Sequence, residues 1–531
     1  MIKRENGKKP ETPLELSGSS LALEELHDVV FSSRPVSLAS EARYAVDRAR
    51  AVVDQKVTQN EVAYAITTGV GKLSDVHIPA EQTRELQVNL MRSHAVGVGE
   101  PLSEAENRAM MLLRANSLAK GHSGVRAAVI DLLCEMLNRG VHPVVPSQGS
   151  VGASGDLAPL AHLGLVLIAE GEAVVNGERV SGAEALRRAH LQPLTLEAKE
   201  AVSLINGTQG MLAVGALVLL ASEVLADSAD VISAMTLDAL QGTDVAFDPR
   251  IHRARPHPGQ IATAENLTRL LAGSQIRESH RDCGRVQDAY SLRCIPQVHG
   301  AVRDTLNWCR EVFEIEMNSA VDNPLVFTAR ERSGRGADGV SSPAQSDLGE
   351  IVSGGNFHGE PVAFALDYLA IVLTALAGIS ERRIERLVNP ALNEGLPPFL
   401  APGAGLNSGF MMPQVTAAAL VAENRVLAHP ASVESITTSG NKEDFVSMGM
   451  TSALKLKRIL QNTTNVVAIE AVAAAQALDF LAPLKTSPRL QRAHAAVRAV
   501  CATLERDRSL APDFARVAQV IESGRIAEAL K

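Results

Sequence analysis

The sequence predicts a mainly α protein: an elongated bundle of long helices with a small mixed region towards the N-terminus. Three observations carry this. Ala, Leu and Val dominate a chain that is 46% hydrophobic yet only 3% aromatic, a composition suited to helices packed closely on helices. The segments 103–139, 208–238, 361–388 and 448–482 repeat apolar residues at i, i+3, i+4 and i+7, the spacing of one helix face. Strand signals, by contrast, are few.

In chain order, Lys3-Arg4 and Lys8-Lys9 make a basic start with no apolar run behind it, so it predicts a frayed terminus and not a signal peptide. Residues 172–181 (EAVVNGERVS) set Asn176-Gly177 between short apolar pieces, the signature of a hairpin. The stretch 329–355 is rich in Gly, Ser and charge and predicts a mobile surface loop. The last long segment runs through Ala453, Leu454, Leu456, Ile459 and Leu460 to Val466, Val467, Ile469 and Val472. The organisation expected is a mixed region at 1–205, a long-helix bundle at 206–482 and a short helical tail at 483–531.

Charge and composition exclude several function classes. With 51 Lys and Arg against 60 Asp and Glu, the net charge is −9; no broad basic surface favours nucleic acid or an anionic membrane. The strongest apolar stretches, 211–221 and 362–379, soon meet Glu223 and Asp227 or contain Asp367, so they predict buried core helices, not membrane spans. Five cysteines without a CxxC pair predict reduced thiols and a cytoplasmic location. His358 and Glu360 have no second cluster at ligand spacing, and no metal site is expected.

The chemistry concentrates at 149–162, GSVGASGDLAPLAH. Ala153-Ser154-Gly155 can form a cofactor from backbone. Attack of the Gly155 nitrogen on the Ala153 carbonyl, with loss of two waters, gives a methylidene-imidazolone ring. Glycine leaves the approach open, alanine is small enough for the ring, and loss of the serine hydroxyl leaves an electrophilic carbon. Asp156 is expected to cap the helix that opens at Leu157-Ala158-Pro159.

This run resembles the active-site motif of the aromatic amino acid lyases that depend on such a ring, and the resemblance extends from about residue 60 to about residue 480. In YAITTGVG (64–71), it implies that Tyr64 sits on a loop over the site and takes the β-proton, as a phenol can when its surroundings lower its pKa. Ala65 and Val70 depart from the family, which usually has glycine and phenylalanine there, so altered loop packing around an intact base is expected. In LINGTQ (204–209), Asn206 matches an asparagine near the ring carbonyl and the substrate carboxylate. In QDAYSLRCIPQ (287–297), Arg293 matches the clamp for the α-carboxylate, its planar fork binding two oxygens; Gln287 and Tyr290 match residues that help hold the ring and the leaving amine. In GGNFHGEP (354–361), Phe357 matches an aromatic beside ring and substrate.

Two places bear on which amino acid is accepted. Ser93-His94 matches the pair found in histidine-specific members. Glu443, in TTSGNKEDFVSM (437–448), matches a glutamate of those members where phenylalanine-specific ones carry glutamine. A carboxylate can hold one nitrogen of an imidazole, whereas a phenyl ring would leave it buried without a partner. Phe445 departs from the histidine usual in that group. The resemblance therefore implies non-oxidative deamination of L-histidine to trans-urocanate and ammonia, in a homotetramer with sites shared between subunits. It leaves open whether the amine or the imidazole ring meets the electrophile. The alternatives are a tyrosine lyase, an aromatic aminomutase, or a non-catalytic helical scaffold; the fumarase–aspartase group is disfavoured because its Gly-Ser-Ser-x-Met-Pro loop is missing.

Overall fold

The computed structural model describes residues 12–59, 61–331 and 348–531. Four long helices form its centre: Gln209–Ala239, Ile295–Met317, Glu360–Val388 and Gly449–Phe480. The periodic segments 208–238, 361–388 and 448–482 thus become single helices. The segment 103–139 does not. It splits into Glu104–Ala119 and Ala127–Asn138 because the chain turns at Gly121 (φ +83°) and Gly124 (φ +69°). A Cβ at Gly124 would lie 2.5 Å from Val53 Cγ2, so the break is also where the helix Ser40–Thr58 makes its closest approach.

The helix Gln209–Ala239 is the axis of the bundle. Its 31 residues give it a length of about 46 Å, and it packs against each of the other three long helices. Arg383 and Glu470 face each other fully buried between the last two, with Ser380 and Thr236 donating to the same carboxylate. The outer helices Met411–Leu427 and Ala511–Glu522 cover Gly449–Phe480. One apolar cluster includes side chains from Leu14 to Ala529.

Small sheets flank this bundle. Glu172–Val175 and Glu178–Ser181 pair antiparallel around Asn176 (φ +53°) and Gly177 (φ +80°), the expected hairpin, and Val141–Pro143 adds a third strand. Leu325–Thr328 pairs with Gly349–Val352 at the two ends of the expected 329–355 loop. Most of that loop, 332–347, and the basic start lie outside the described residues.

Gln209–Ala239 and Glu360–Val388 are both long and apolar enough to cross a membrane by length and composition. The first is embedded in the bundle. The second is only half covered: Phe364, Tyr368 and Ile371 stand exposed along one face at i, i+4, i+7 spacing. Among the described residues all five cysteines are free thiols.

Candidate active site

Ala153-Ser154-Gly155 lies where the helix Gln209–Ala239 begins. Gly155 (φ +72°) runs beside Gly207 in a parallel bridge, and Asp156 N–H donates to Gly207 O at 2.7 Å. A Cβ on Gly155 would sit 2.1 Å from Gly207 O, so this position admits glycine alone. The Asn206 side-chain amide donates to the Ser154 carbonyl oxygen at 2.9 Å. The Ser154 hydroxyl donates to Glu443 Oε1 at 3.0 Å. Glu443 is held from its other side by the hydroxyls of Thr438 and Ser439, both at 2.8 Å from Oε2. A residue that could have been a surface acid in a Lys-Glu-Asp run therefore points at Ser154.

Asp156 corrects an expectation. It occupies the N-cap position of the helix Leu157–Leu167, but its side chain does not cap that helix. Its Oδ2 instead accepts from Met211 N–H at 2.7 Å, satisfying the first turn of Gln209–Ala239, and its Oδ1 accepts from Ser150 Oγ at 2.7 Å. Thr208, the N-cap of that helix, makes no side-chain cap, and its hydroxyl donates to Glu316. Full burial pushes the Asp156 carboxyl up to about 6, against the opposing pull of the Met211, Ser150 and Gly210 donors.

Two further segments close on the loop. Met448 N–H donates to Val151 O at 2.8 Å, and both Ser447 Oγ and Gly359 N–H donate to Gly152 O, at 3.1 and 3.4 Å. Phe357 is thereby carried to within two residues of this contact. His358 Nε2 lies 3.2 Å from Phe445 O and the two rings stack, so Phe445 packs on the same segment. Gly152, Gly359 and Gly449 all face the Met211 thioether, which leaves no room for a Cβ at the latter two. Sequence reasoning missed Met211, Ser150 and Ser447, because each is an ordinary residue until these distant segments meet.

Tyr64 lies half-buried in the neighbouring loop, its hydroxyl oxygen accepting from Gly71 N–H at 3.1 Å. The turn Gly71–Leu73 packs on Ser439–Asn441, so the Tyr64 loop rests on the loop that carries Glu443. Ala65 has φ +58°, a left-handed conformation that costs an alanine about 1 kcal/mol; this is the physical reason a glycine suits the position. Val70 packs against the main core.

Ser93 and His94 end the helix Thr83–His94. His94 Nδ1 lies 2.9 Å from Leu90 O. The Ser93 hydroxyl oxygen lies 3.1 Å from the same ring nitrogen. Past His94 the chain turns against the start of the motif, where a Cβ on Gly149 would sit 3.2 Å from Gly97 Cα.

The remaining three residues lie elsewhere. Gln287 and Arg293 line a cleft of about 570 Å³ with Gln241 and Thr243, beyond the C-terminal end of Gln209–Ala239. Arg285 donates to Leu240 O there, and Asp288 accepts from Thr243 N–H. The Arg293 guanidinium lies over the Tyr290 ring at 4.6 Å, its Nε buried without a partner, and Tyr290 is 71% exposed. Within one chain these side chains therefore lie at the opposite end of the long helix, itself about 46 Å long, from Ser154.

Residues 21–499 match the family described as aromatic amino acid lyase. The chain is 71% identical over 518 residues to a histidine ammonia-lyase of Koribacter versatilis (strain Ellin345), covering 98% of this chain and 99% of that one. Among solved structures it is similar to histidine ammonia-lyase from Trypanosoma cruzi (41% identity, TM-score 0.86, covering 98% and 95%). It is also similar to a tyrosine aminomutase from Streptomyces globisporus (39% identity, TM-score 0.89, covering 98% of both).

Proposed function

The chain belongs to the aromatic amino acid lyase family, and from that premise we propose that it deaminates L-histidine to trans-urocanate and ammonia. The observation that carries this reading is the triple convergence at Ser154: its hydroxyl on Glu443, its carbonyl on the Asn206 amide, and Gly155 locked against Gly207.

The residues fit the self-made ring. Gly155 has a backbone and a neighbour that exclude any side chain, Ala153 is buried, and nothing bulkier than the serine stands between them. The methylidene-imidazolone ring formed from Ala153-Ser154-Gly155 supplies an electrophilic carbon that no side chain offers. Asn206 donates to the oxygen next to that carbon, where a hydrogen bond stabilises negative charge. Glu443 Oε1 accepts from the Ser154 hydroxyl, which leaves as the ring forms, and is then free to accept one imidazole N–H, while His94 Nε2 serves as the second ring contact. Tyr64, on the loop that rests on the Glu443 turn, removes the β-proton. Phe357 packs beside the substrate ring. Arg293 binds the α-carboxylate bidentately, with Tyr290 and Gln287 beside the amine.

Arg293 cannot do this for Ser154 of its own chain, and we infer a homo-oligomer, a tetramer, whose sites combine both ends of the long helix from different copies. The exposed Phe364, Tyr368 and Ile371 stripe supports such an assembly. Offering L-histidine, L-phenylalanine and L-tyrosine separately and following each unsaturated acid by ultraviolet absorbance tests the reading. Urocanate is expected to form fastest; cinnamate outpacing it would overturn the specificity, and a β-amino acid product would favour an aminomutase.

A further inference from the structure

Arg114 is one of two fully buried arginines among the described residues, and the other, Arg383, has Glu470 as its counter-ion. Arg114 comes from the middle of the helix Glu104–Ala119 and lies under the Asn206-Gly207 turn. Its Nη1 donates to Asn206 O at 2.9 Å and to Gln209 Oε1 at 3.0 Å, and its Nη2 donates to Ser117 Oγ at 3.3 Å. Every one of these acceptors is neutral. Among the described residues no carboxylate lies within ion-pair distance of the guanidinium. Asp322, the nearest compensating charge, is taken by Lys199 at 3.2 Å, and Glu316 is engaged by the Thr208 hydroxyl. Nε has no partner at all.

A buried cation without a counter-ion costs several kcal/mol, and packing alone would be served better by a methionine. What the cation does hold is the backbone of Asn206, whose side chain donates to the Ser154 carbonyl oxygen. The contact is close: a Cβ on Gly207 would sit 2.5 Å from Arg114 Nη1. The same turn offers Gly207 O to Asp156 N–H, so it sets the height of the cyclising triplet as well as the direction of the amide. We propose that Arg114 is a positioning residue for the reaction, fixing the Asn206-Gly207 turn from beneath so that the Asn206 amide meets the Ser154 carbonyl oxygen. This rests on the lyase reading above. It adds a residue that touches neither substrate nor ring and acts only through the backbone of Asn206.

The test uses Arg114→Gln and Arg114→Lys in the full chain. Intact mass gives the fraction of chains lighter by two waters, thermal unfolding gives the folded state, and kcat and KM are expressed per cyclised site. In Arg114→Gln, kcat per cyclised site is expected to fall by about a hundredfold, the scale of losing one preorganised donor, with KM within about threefold. Arg114→Lys, which keeps the charge but not the fork, should recover part of it. A wild-type kcat per cyclised site in Arg114→Gln overturns the proposal, as does a loss confined to the folded or cyclised fraction. Should Arg114→Gln not fold, Arg114→Lys carries the test alone, because lysine keeps the charge but not the planar fork that holds Asn206 O and Gln209 Oε1. A drop in kcat per cyclised site is expected there, and an unchanged value overturns the proposal. Failure of the lyase reading would be separate and visible in the wild-type chain, as no loss of two waters and no urocanate.

Discussion

The two ends of the helix Gln209–Ala239 contrast sharply. At its N-terminal end five segments interlock: 149–156, 206–211, 356–359, 443–448 and, resting on them, 64–73. Ser154, Asp156 and Glu443 are each held by partners from other segments. At its C-terminal end Tyr290 and Val286 stand exposed, Gln287 faces solvent, and Arg293 keeps a buried Nε unpaired. The first end is complete within one chain. The second is an open cleft lined by Gln287 and Arg293. On the proposed function, one chain builds its electrophile locally but takes the contact to the substrate carboxylate from another copy.

The largest expected effect tests the finished end. Ser154→Ala removes the hydroxyl whose loss makes the ring, so turnover should vanish, a fall of at least about 10⁴-fold, while circular dichroism and thermal unfolding stay close to wild type. Retained turnover would break the account of that end.

Next comes the open end. Arg293→Met should cost about a thousandfold in kcat/KM by removing a bidentate charged contact. Co-expressing Arg293→Met with Ser154→Ala should then restore measurable activity, because a mixed assembly contains some sites with both intact ends. If the mixture stays as dead as each parent, the two ends do not meet between copies.

A smaller effect belongs to specificity. Glu443→Gln keeps the shape but weakens the contact to an imidazole; about a hundredfold loss in kcat/KM for histidine is expected, the size of one charged hydrogen bond, with phenylalanine affected much less. Equal losses for both amino acids would mean Glu443 serves the ring and not the substrate.

Asp156 makes a prediction about pH. Its folded pKa, about 6, lies above the ordinary aspartate value of 3.8. A raised carboxyl favours the folded state most below the ordinary value, and that contribution is lost as pH rises through about 6, a loss of about 3 kcal/mol. Denaturant unfolding of Asp156→Asn at fixed protein concentration should therefore depend less on pH between 4 and 7 than the wild type. An unchanged dependence would place the titration elsewhere. The smallest effect is Ala65→Gly, which should relieve about 1 kcal/mol of left-handed strain at the Tyr64 loop, read as slower proteolysis there.

The helices were legible because burial imposes a 3.6-residue period on any sequence that packs one face. The split of 103–139 was not, since Gly121 and Gly124 break the helix only where Ala45 and Val53 come close. The site was legible as a set of residues through its resemblance to a family, but not as a geometry. Asp156 looked like a cap for the helix that follows it, because local sequence is silent about the unsatisfied Met211 N–H of a neighbouring helix. Arg114, amid MLLRANSL, gave no sign of its role.

By itself, then, the sequence determined the helical class, the triplet able to cyclise and the residue types around it, since these are properties of local periodicity and of covalent chemistry. Only the tertiary structure decided which of those residues share an end of the long helix, what Asp156 and Arg114 hold, and that Arg293 lies at the opposite end of that helix from Ser154, because such relations arise from packing between segments far apart in the chain.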